Sequence, residues 1–200
     1  LDIVFLLDAT GSMGDEIDKL KASMADVADQ IANLPEHPDT RYGLVAFRDQ
    51  GDEFVVRTHD FTPNLGRFQN DLANVYANGG GDTPEALNEA LHRTLNDLSW
   101  RSDDTVRLIV LVGDAPPHID YRWESFSYEQ DMFEAVRRGI KIFPVGASNL
   151  DADGEYIFRQ LAQVTGGKFV FLTYEEGSDP SSGPGTETDH EVDNYSVDTL

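Results

Sequence analysis

Two nearly continuous apolar segments stand out along the chain. Residues 3–7 read IVFLL and residues 106–112 read VRLIVLV. Apolar runs of this length are typical of strands that are buried on both faces of a parallel sheet. Each run is followed closely by an acidic residue, Asp8 after the first and Asp114 after the second. The pattern therefore predicts two central strands that each deliver a carboxylate at their carboxyl end.

Helical patterns alternate with the strand patterns. Residues 17–34 place apolar side chains at steps of three, four and one, and Pro35 closes the pattern. Similar spacing predicts helices within 61–77, from Thr83-Pro84-Glu85 to Leu98, at 128–138 and at 155–164. Further strands are predicted at 41–47, 53–57, 140–145 and 168–172. The second of these is expected to be an antiparallel edge strand, reached through a hairpin at 48–52. The alternation predicts an open α/β sheet with helices on both faces.

The composition changes after Tyr174. Residues 175–200 are rich in Ser, Gly, Pro, Thr, Asp and Glu and contain few apolar side chains, which is typical of a linker or tail. We therefore predict one folded domain at 1–174, followed by an acidic linker or tail at 175–200. Because the first residue already belongs to a strand, we expect the chain to be a piece of a longer protein.

Acidic residues dominate the charge. The 200 residues include 37 Asp and Glu against 15 Lys and Arg, a net charge of −22. Nucleic acid is disfavoured as a partner, because no basic stripe can neutralise phosphates. The excess favours cations and basic surfaces, or is simply a solvated acidic surface. The chain has no Cys, which excludes disulfides, thiolate metal sites and cysteine nucleophiles. No apolar run reaches the length of a membrane span.

Oxygen-bearing side chains follow the first apolar run at every second position. They are Asp8, Thr10 and Ser12, and a helical pattern begins directly after them. A carboxylate and two hydroxyls at the carboxyl end of a central strand can converge on a hard cation. Ser12 has an alternative role, since a hydroxyl in front of a helix can cap its free N–H groups.

The segment Asp8-x-Thr10-x-Ser12 resembles the first signature of the metal-ion-dependent adhesion site of von Willebrand factor A-type domains, with Thr in place of the first Ser. Residues 79–85, reading GGGDTPE, and 112–114, reading VGD, resemble the second and third metal loops of the family in the same order. The resemblance covers residue 1 to about residue 174. It implies a doubly wound, Rossmann-like sheet of six strands in the order 3-2-1-4-5-6, with the third strand antiparallel.

The same resemblance implies a metal site for Mg²⁺, with Mn²⁺ or Ca²⁺ also possible. Its ligands, direct or through water, would be Asp8, Thr10, Ser12, Thr83 and Asp114. An open position on the ion would take an Asp or Glu side chain of a partner protein. Three neutral hydroxyl ligands support this physically, because fewer negative charges leave the ion more attractive to an external anion. Thr83, like Ser12, has helix capping as its alternative role.

Five further residues are candidate contacts. Asp15 and Glu16 are similar to the acidic pair of an adjacent calcium site in integrin β-subunit domains. Asp82 and Glu85 resemble the loop of those domains in which the Glu reaches the metal and the Asp helps to form a neighbouring site. His118 lies four residues after Asp114 and is predicted near the rim. Each has a simpler alternative, since acids in a first helical turn oppose the helix dipole and a loop His is often only solvated.

The predicted function is therefore a metal-dependent protein-binding module for adhesion or complex assembly, and not an enzyme. Two alternatives remain open. Asp8 and Gly113-Asp114 also resemble the haloacid-dehalogenase-type phosphohydrolases, in which the first Asp is a nucleophile and Mg²⁺ binds phosphate, although that family needs a second Asp where Thr10 stands. A scaffold with a vestigial metal site is the other. The ligand, the oligomeric state and the compartment are not determined, with an extracellular or cell-surface location slightly favoured.

Overall fold

Strands and helices alternate along the chain in the computed structural model, which describes residues 1–81, 83–119, 125–147 and 150–171. The strands are β1 (Asp2–Asp8), β2 (Arg41–Phe47), β3 (Val56–Thr62), β4 (Arg107–Gly113), β5 (Ile140–Gly146) and β6 (Val170–Phe171). The helices are α1 (Gly14–Ala32), α2 (Leu65–Ala73), α3 (Leu87–Asn96), α4 (Tyr128–Arg137) and α5 (Ala152–Thr165). A short 3-10 turn, Gly11–Met13, precedes α1.

The six strands form one sheet in the order β3-β2-β1-β4-β5-β6. All neighbours are parallel except β3, which runs antiparallel to β2 at the edge. This confirms the predicted fold class, including the strand order and the antiparallel third strand. Within the sheet β1 and β4 are direct neighbours, with Leu7 opposite Val112. Asp8 and Asp114 are therefore brought to the same edge of the sheet.

Helices cover both faces of the sheet, so β1 is buried along its whole length. Alternate residues of a strand point to opposite faces, and β1 contributes to two separate cores. Val4 and Leu6 belong to the core that contains residues of α3, α4 and α5. Ile3, Phe5 and Leu7 belong to the core that contains residues of α1 and α2. This double burial is the physical reason for the unbroken apolar run.

Several predicted boundaries differ from the structure, and two of them by more than two residues near the cleft and the sheet edge. The strand predicted at 53–57 is β3, which begins later and runs to Thr62, so Phe61 lies in a strand and not in the following helix. That helix is α2, which lies within the predicted range 61–77. The helix expected to open at Thr83-Pro84-Glu85 begins only at Leu87. The strand β3 was hard to predict because its sequence, VRTHDFT, does not alternate clearly between apolar and polar residues. Its position depends on tertiary contacts instead, such as the edge-on packing of Phe61 against Trp100, with ring centroids 4.8 Å apart.

Other expectations are confirmed or lie outside the described residues. Asp151 caps α5 by accepting a hydrogen bond from the Gly154 N–H at 2.8 Å, and the predicted helix at 155–164 lies within α5. The predicted tail, residues 175–200, lies outside the described residues. Within the described ranges no helix combines the length and apolar character needed to cross a membrane.

The opposite, amino-terminal edge of the sheet is held by a buried ion cluster around Asp2. Both carboxylate oxygens of this fully buried residue are occupied: Oδ1 accepts from Nε of Arg41 and of Arg101, each at 2.9 Å, and Oδ2 accepts from Arg41 Nη2 and the Arg101 backbone N–H. Burial alone raises the pKa of Asp2, but the hydrogen bonds from Arg41 and Arg101 outweigh it and lower the pKa to about 2. The cluster thus joins the starts of β1 and β2 to the segment before β4.

Asp2→Asn is expected to lower the free energy of unfolding by about 3 kcal/mol at neutral pH, because it leaves two guanidinium groups without their buried counter-ion. The native pKa of Asp2 lies below its ordinary value of 3.8, so this stabilisation is present above pH 3.8 and is lost as the pH falls through about 2. Urea unfolding of the parent chain and of Asp2→Asn from pH 7 to pH 2 measures whether their free energies of unfolding converge as the pH falls. The control is Asp39→Asn, which alters an exposed partner of Arg101 and should cost less than about 1 kcal/mol. Equal losses in both variants would contradict the assignment.

Candidate metal centre

A polar cleft of ≈ 450 Å³ opens at the carboxyl edge of the sheet. Three loops form it: the first follows β1, the second precedes α3, and the third follows β4. The residues that line it are Thr10, Gly11, Ser12, Gly79, Gly80, Gly81, Thr83, Glu85, Asp114 and Ala115. Four of the five predicted metal ligands therefore line one cleft, and the fifth, Asp8, is fully buried and hydrogen-bonded to Thr10.

The two oxygens of Asp8 have different surroundings. Oδ1 accepts hydrogen bonds from the Thr10 backbone N–H at 2.9 Å and from Thr10 Oγ1 at 2.7 Å. Oδ2 is buried and has no hydrogen-bond partner among the described residues. A buried carboxylate oxygen without a partner is costly. Thr10 thus fixes the orientation of the Asp8 carboxylate and leaves one oxygen of it available.

Asp114, also buried, adds a second negative charge to this region. Burial and then the charge of Asp114 raise the pKa of Asp8 to about 7, against the opposing effect of the two hydrogen bonds from Thr10. Glu16, buried in the first turn of α1, raises it further. The pKa of Asp8 therefore reflects crowded, desolvated carboxylates.

Glu85 is a third buried carboxylate beside the cleft. Burial, followed by the charges of Asp8 and Asp49, raises its pKa to about 9. Its Oε2 is buried without a hydrogen-bond partner in the described part of the chain. The backbone of Glu85 joins the second loop to the third, because its N–H donates to the Pro116 carbonyl at 3.0 Å and its carbonyl accepts from the His118 N–H at 3.3 Å.

The glycines of the second loop allow close approach to the first loop. Gly79 and Gly80 both have positive φ, +76° and +64°, a region that side chains disfavour. The Gly79 carbonyl accepts a hydrogen bond from the Gly11 N–H at 3.1 Å. A Cβ atom on Gly80 would lie 2.9 Å from Glu85 Oε1 and 3.0 Å from Thr10 Cβ. The loop therefore has no room for a side chain at Gly80.

The helix-capping alternatives for the two exposed hydroxyls do not match the structure. The residue before α1 is Met13, and the residue before α3 is Ala86; neither makes a side-chain capping bond. Ser12 and Thr83 instead lie exposed on the cleft. Both hydroxyls are thus open to solvent beside the carboxylates.

The additional candidates are placed differently. Asp15 and Glu16 both lie in the first turn of α1, where they also oppose the helix dipole. Asp82 lies outside the described residues. His118 is buried and does not line the cleft; its Nε2 lies 3.0 Å from Asp49 Oδ1.

Sequence reasoning missed the residues just behind the cleft, Arg48, Asp49, Asp52 and Asn88. Asn88 Nδ2 donates to the His118 carbonyl at 2.6 Å, and its Oδ1 accepts from the Tyr128 N–H at 2.9 Å. The one available signal was a charged sequence, RDQGD, directly after the apolar run of β2. The sequence predicts only a hairpin connection at 48–52.

The donor chemistry of the cleft fits a hard divalent cation. The five predicted ligands offer two carboxylates and three hydroxyls, all of them oxygen, and Asp8 Oδ2 lacks a partner. Among the residues that the structure describes, no group of three or more His, Asp and Glu side chains is arranged to hold a metal. A site on these residues would therefore depend on the hydroxyls.

The fold and this cleft define an α/β domain with a polar site at the carboxyl edge of its central strands. Residues 2–124 match the family model of the von Willebrand factor A domain, and the chain belongs to that family. It is 31% identical over 207 residues to von Willebrand factor A domain-containing protein 7 of Rattus norvegicus, which covers 90% of this chain and 22% of that protein.

Two other similarities extend the comparison. The chain is 25% identical over 123 residues to the alpha-protein kinase vwkA of Dictyostelium discoideum, covering 59% of this chain and 19% of that protein. Proximal thread matrix protein 1 from the mussel byssus shares the fold, with a TM-score of 0.64, 15% identity and coverage of 85% of this chain and 41% of that one. The chain thus spans about a fifth of the two curated relatives. Domains of this family are generally interaction modules and not enzymes, although one relative is named as a kinase.

The crowded carboxylates predict a pH dependence of stability in metal-free protein. The native pKa of Asp8, about 7, and that of Glu85, about 9, lie above their ordinary values of 3.8 and 4.5. Their contribution to stability is therefore complete below those ordinary values and is lost as the pH rises through 7 and 9. Glu85→Gln should flatten the decline and stabilise the protein by about 2 kcal/mol at pH 9.

Urea unfolding in chelator at pH 5, 7 and 9 measures this effect. Glu36→Gln is the control, because it removes the same charge from an exposed position and should leave the pH slope unchanged. If the free energy of unfolding of Glu85→Gln depends on pH as steeply as that of the parent chain, Glu85 is not desolvated.

Proposed function

We propose that this domain is a metal-dependent protein-binding module in which a divalent cation, Mg²⁺ in the first place, captures an acidic side chain of a partner. The observation that carries the proposal is the state of Asp8. Its carboxylate is fully buried next to Asp114, and its Oδ2 has no hydrogen-bond partner in the described residues. A desolvated carboxylate with one unbonded oxygen beside a second negative charge is unfavourable, and a cation at Asp8 Oδ2 would relieve this.

The ligands would be Asp8, Thr10, Ser12, Thr83 and Asp114. Asp8 and Asp114 provide the charge, and Thr10 holds the Asp8 carboxylate through two hydrogen bonds. Ser12 and Thr83 present exposed hydroxyls on the same cleft. When bound, the cation would supply an electrophilic centre whose remaining protein ligands are neutral hydroxyls, so that it keeps attraction for an external anion.

Glu85 lines the same cleft, and in the metal-free protein burial and the charges of Asp8 and Asp49 raise its pKa to about 9. It is therefore a candidate for an additional ligand beside the five named above. The open cleft leaves room for the acidic side chain of a partner beside Thr83 and Ser12.

The first test is direct binding of Mg²⁺ or Mn²⁺ to metal-free protein, measured by isothermal titration calorimetry. We expect one strong site, which Asp8→Ala and Asp114→Ala each abolish, because each removes one of the two charged ligands. Ca²⁺ is titrated in parallel to rank the ions. Unchanged binding in both variants would refute the assignment of the ligands.

Position 10 gives a matched control for the same titration. Thr10→Ser keeps the hydroxyl that donates to Asp8 and should keep metal affinity within about threefold, whereas Thr10→Val keeps the shape and should lose roughly 10- to 100-fold. Circular dichroism confirms that both variants fold. Equal affinity in all three proteins would make Thr10 a packing residue only.

The second test separates capture from catalysis. Metal-loaded protein is passed over immobilised peptides that contain Asp or Glu, beside matched peptides with Asn or Gln. We expect retention on the acidic peptides alone, and loss of retention in chelator or in Asp8→Asn. The same preparation should not hydrolyse phosphate esters, because Thr10 cannot replace the acid that a phosphohydrolase needs there. Turnover that disappears in Asp8→Asn would favour the phosphohydrolase, and retention indifferent to chelator would favour a vestigial site.

A further inference from the structure

Residues 48–52, which we call the brace segment, follow β2 and contact all three loops of the cleft. The sequence RDQGD predicted only a hairpin turn there. In the structure the segment lies between β2 and β3, and several of its polar atoms bind groups on the first, second and third loops. These contacts come from outside the predicted set of metal ligands.

Arg48 joins the first loop to the second. Its side chain is buried, with Nε donating to the Ala9 carbonyl at 3.1 Å and Nη2 donating to the Tyr76 carbonyl at 2.9 Å. The Arg48 guanidinium lies over the Phe54 ring, with Cζ 4.4 Å from the ring centroid. The Arg48 carbonyl in turn accepts from the Ala86 N–H at 3.2 Å, at the start of α3. One residue thus holds the first loop and both ends of the second.

Asp49 reaches the third loop. Its Oδ1 lies 3.0 Å from Nε2 of the buried His118, four residues after Asp114. The Asp49 backbone N–H donates to Asp52 Oδ2 at 3.2 Å, and the same oxygen accepts from the Gly80 N–H at 2.9 Å. Asp52 therefore stabilises the brace segment internally and also binds the second loop at Gly80, which lies next to Thr10.

The physical need for such a brace follows from where the ligands lie. Thr10, Thr83 and Asp114 come from three separate loops, and loops without packed contacts lose conformational freedom at a cost of about 1–2 kcal/mol per residue when they are ordered. A planar guanidinium that binds two carbonyls in fixed directions limits that freedom before any ion arrives. Groups that orient ligands are worth about 10- to 100-fold in metal affinity.

We propose that Arg48 and Asp49 are positioning residues, which hold the three loops at the separation that the cation requires. The inference rests on the proposed metal-dependent function for its effect on affinity. Its structural part, the ordering of the loops by the brace segment, is independent of any ion and is measured separately.

The test compares four variants of the full chain with the parent protein by calorimetry with Mg²⁺ and Mn²⁺. Arg48→Met and Asp49→Ala should each weaken metal binding by roughly 10- to 100-fold, although neither residue is a predicted ligand. Asp49→Asn keeps an oxygen acceptor for His118 and should retain affinity within about threefold. Arg101→Met is the matched control, because Arg101 also binds backbone carbonyls, those of Leu1 and Asp39, but at the opposite edge of the sheet. It should lower thermal stability and leave metal affinity unchanged.

Amide hydrogen exchange on metal-free protein provides the second measurement. Arg48→Met should accelerate amide exchange at residues 9–12 and 78–81 and at Ala115, His118 and Ile119, and leave the amides of β1 and β4 as slow as in the parent chain. Arg101→Met should not affect those loops. If exchange is faster in Arg48→Met but the parent chain binds no metal, the ordering of the loops by the brace segment is supported and the proposed metal-dependent function is rejected.

Three results would overturn the inference. One is metal affinity in Arg48→Met and Asp49→Ala equal to that of the parent chain. Another is an equal loss of affinity in Arg101→Met, which would assign the effect to general destabilisation. The third is unaltered exchange of the three loops in Arg48→Met.

Discussion

The structure depends on one constraint, which is that the neighbouring parallel strands β1 and β4 end beside each other. Asp8 is the last residue of β1, and Asp114 directly follows β4. Parallel pairing of Leu7 with Val112 brings Asp8 and Asp114 to one edge, and helices on both faces remove water from the strands. Like charges in a desolvated region disfavour ionisation. The raised pKa of Asp8, caused first by burial and then by Asp114, is the direct result of this topology.

The two ends of β1 show how differently the fold treats the same side chain. Asp2 and Asp8 are both fully buried, yet Asp2 has both oxygens bound by Arg41 and Arg101 and a pKa of about 2, whereas Asp8 has one oxygen without a partner in the described residues and a pKa of about 7. The chain can evidently supply guanidinium partners to a buried carboxylate. Arg48, in the segment after β2, binds the backbone carbonyls of Ala9 and Tyr76 and the Glu53 carboxylate, and not Asp8.

The sequence was sufficient for the sheet and for the loops that meet at its edge, because continuous apolar runs and acidic residues behind them are strong local signals. It failed at β3, where a polar strand is held by pairing with β2 and by the contact of Phe61 with Trp100. It also failed at the start of α3, where Glu85 bonds to the third loop before the helix begins. The assignment of the metal ligands themselves stays a prediction.

The brace segment was beyond sequence reasoning for a more general reason. The side chain of Arg48 binds the carbonyls of Ala9 and Tyr76, and a backbone carbonyl is present at every position, so no residue type in the sequence identifies the partner. A contact between two side chains, such as that of His118 with Asp49, involves residue types that can be recognised as a pair in the sequence. Such a pair can be predicted only when the two loops that carry it are known to be adjacent.

The contrast between the two buried carboxylates of β1 argues for function at the Asp8 end of the strand and for structure at the Asp2 end. A natural sequence usually satisfies its buried polar atoms, and exceptions concentrate where a group must remain available for a ligand. Within the described residues the buried atoms without a hydrogen-bond partner are Asp8 Oδ2 and Glu85 Oε2 beside the cleft, and Glu16 Oε2, Arg107 Nε and Asp131 Oδ2 elsewhere. Asp2, by contrast, has both carboxylate oxygens bonded at the amino-terminal edge. Since the same strand carries both arrangements, a shortage of cationic partners does not explain the difference. A carboxylate oriented by Thr10 and left open on one oxygen is better explained by a ligand that this edge of the sheet is built to receive.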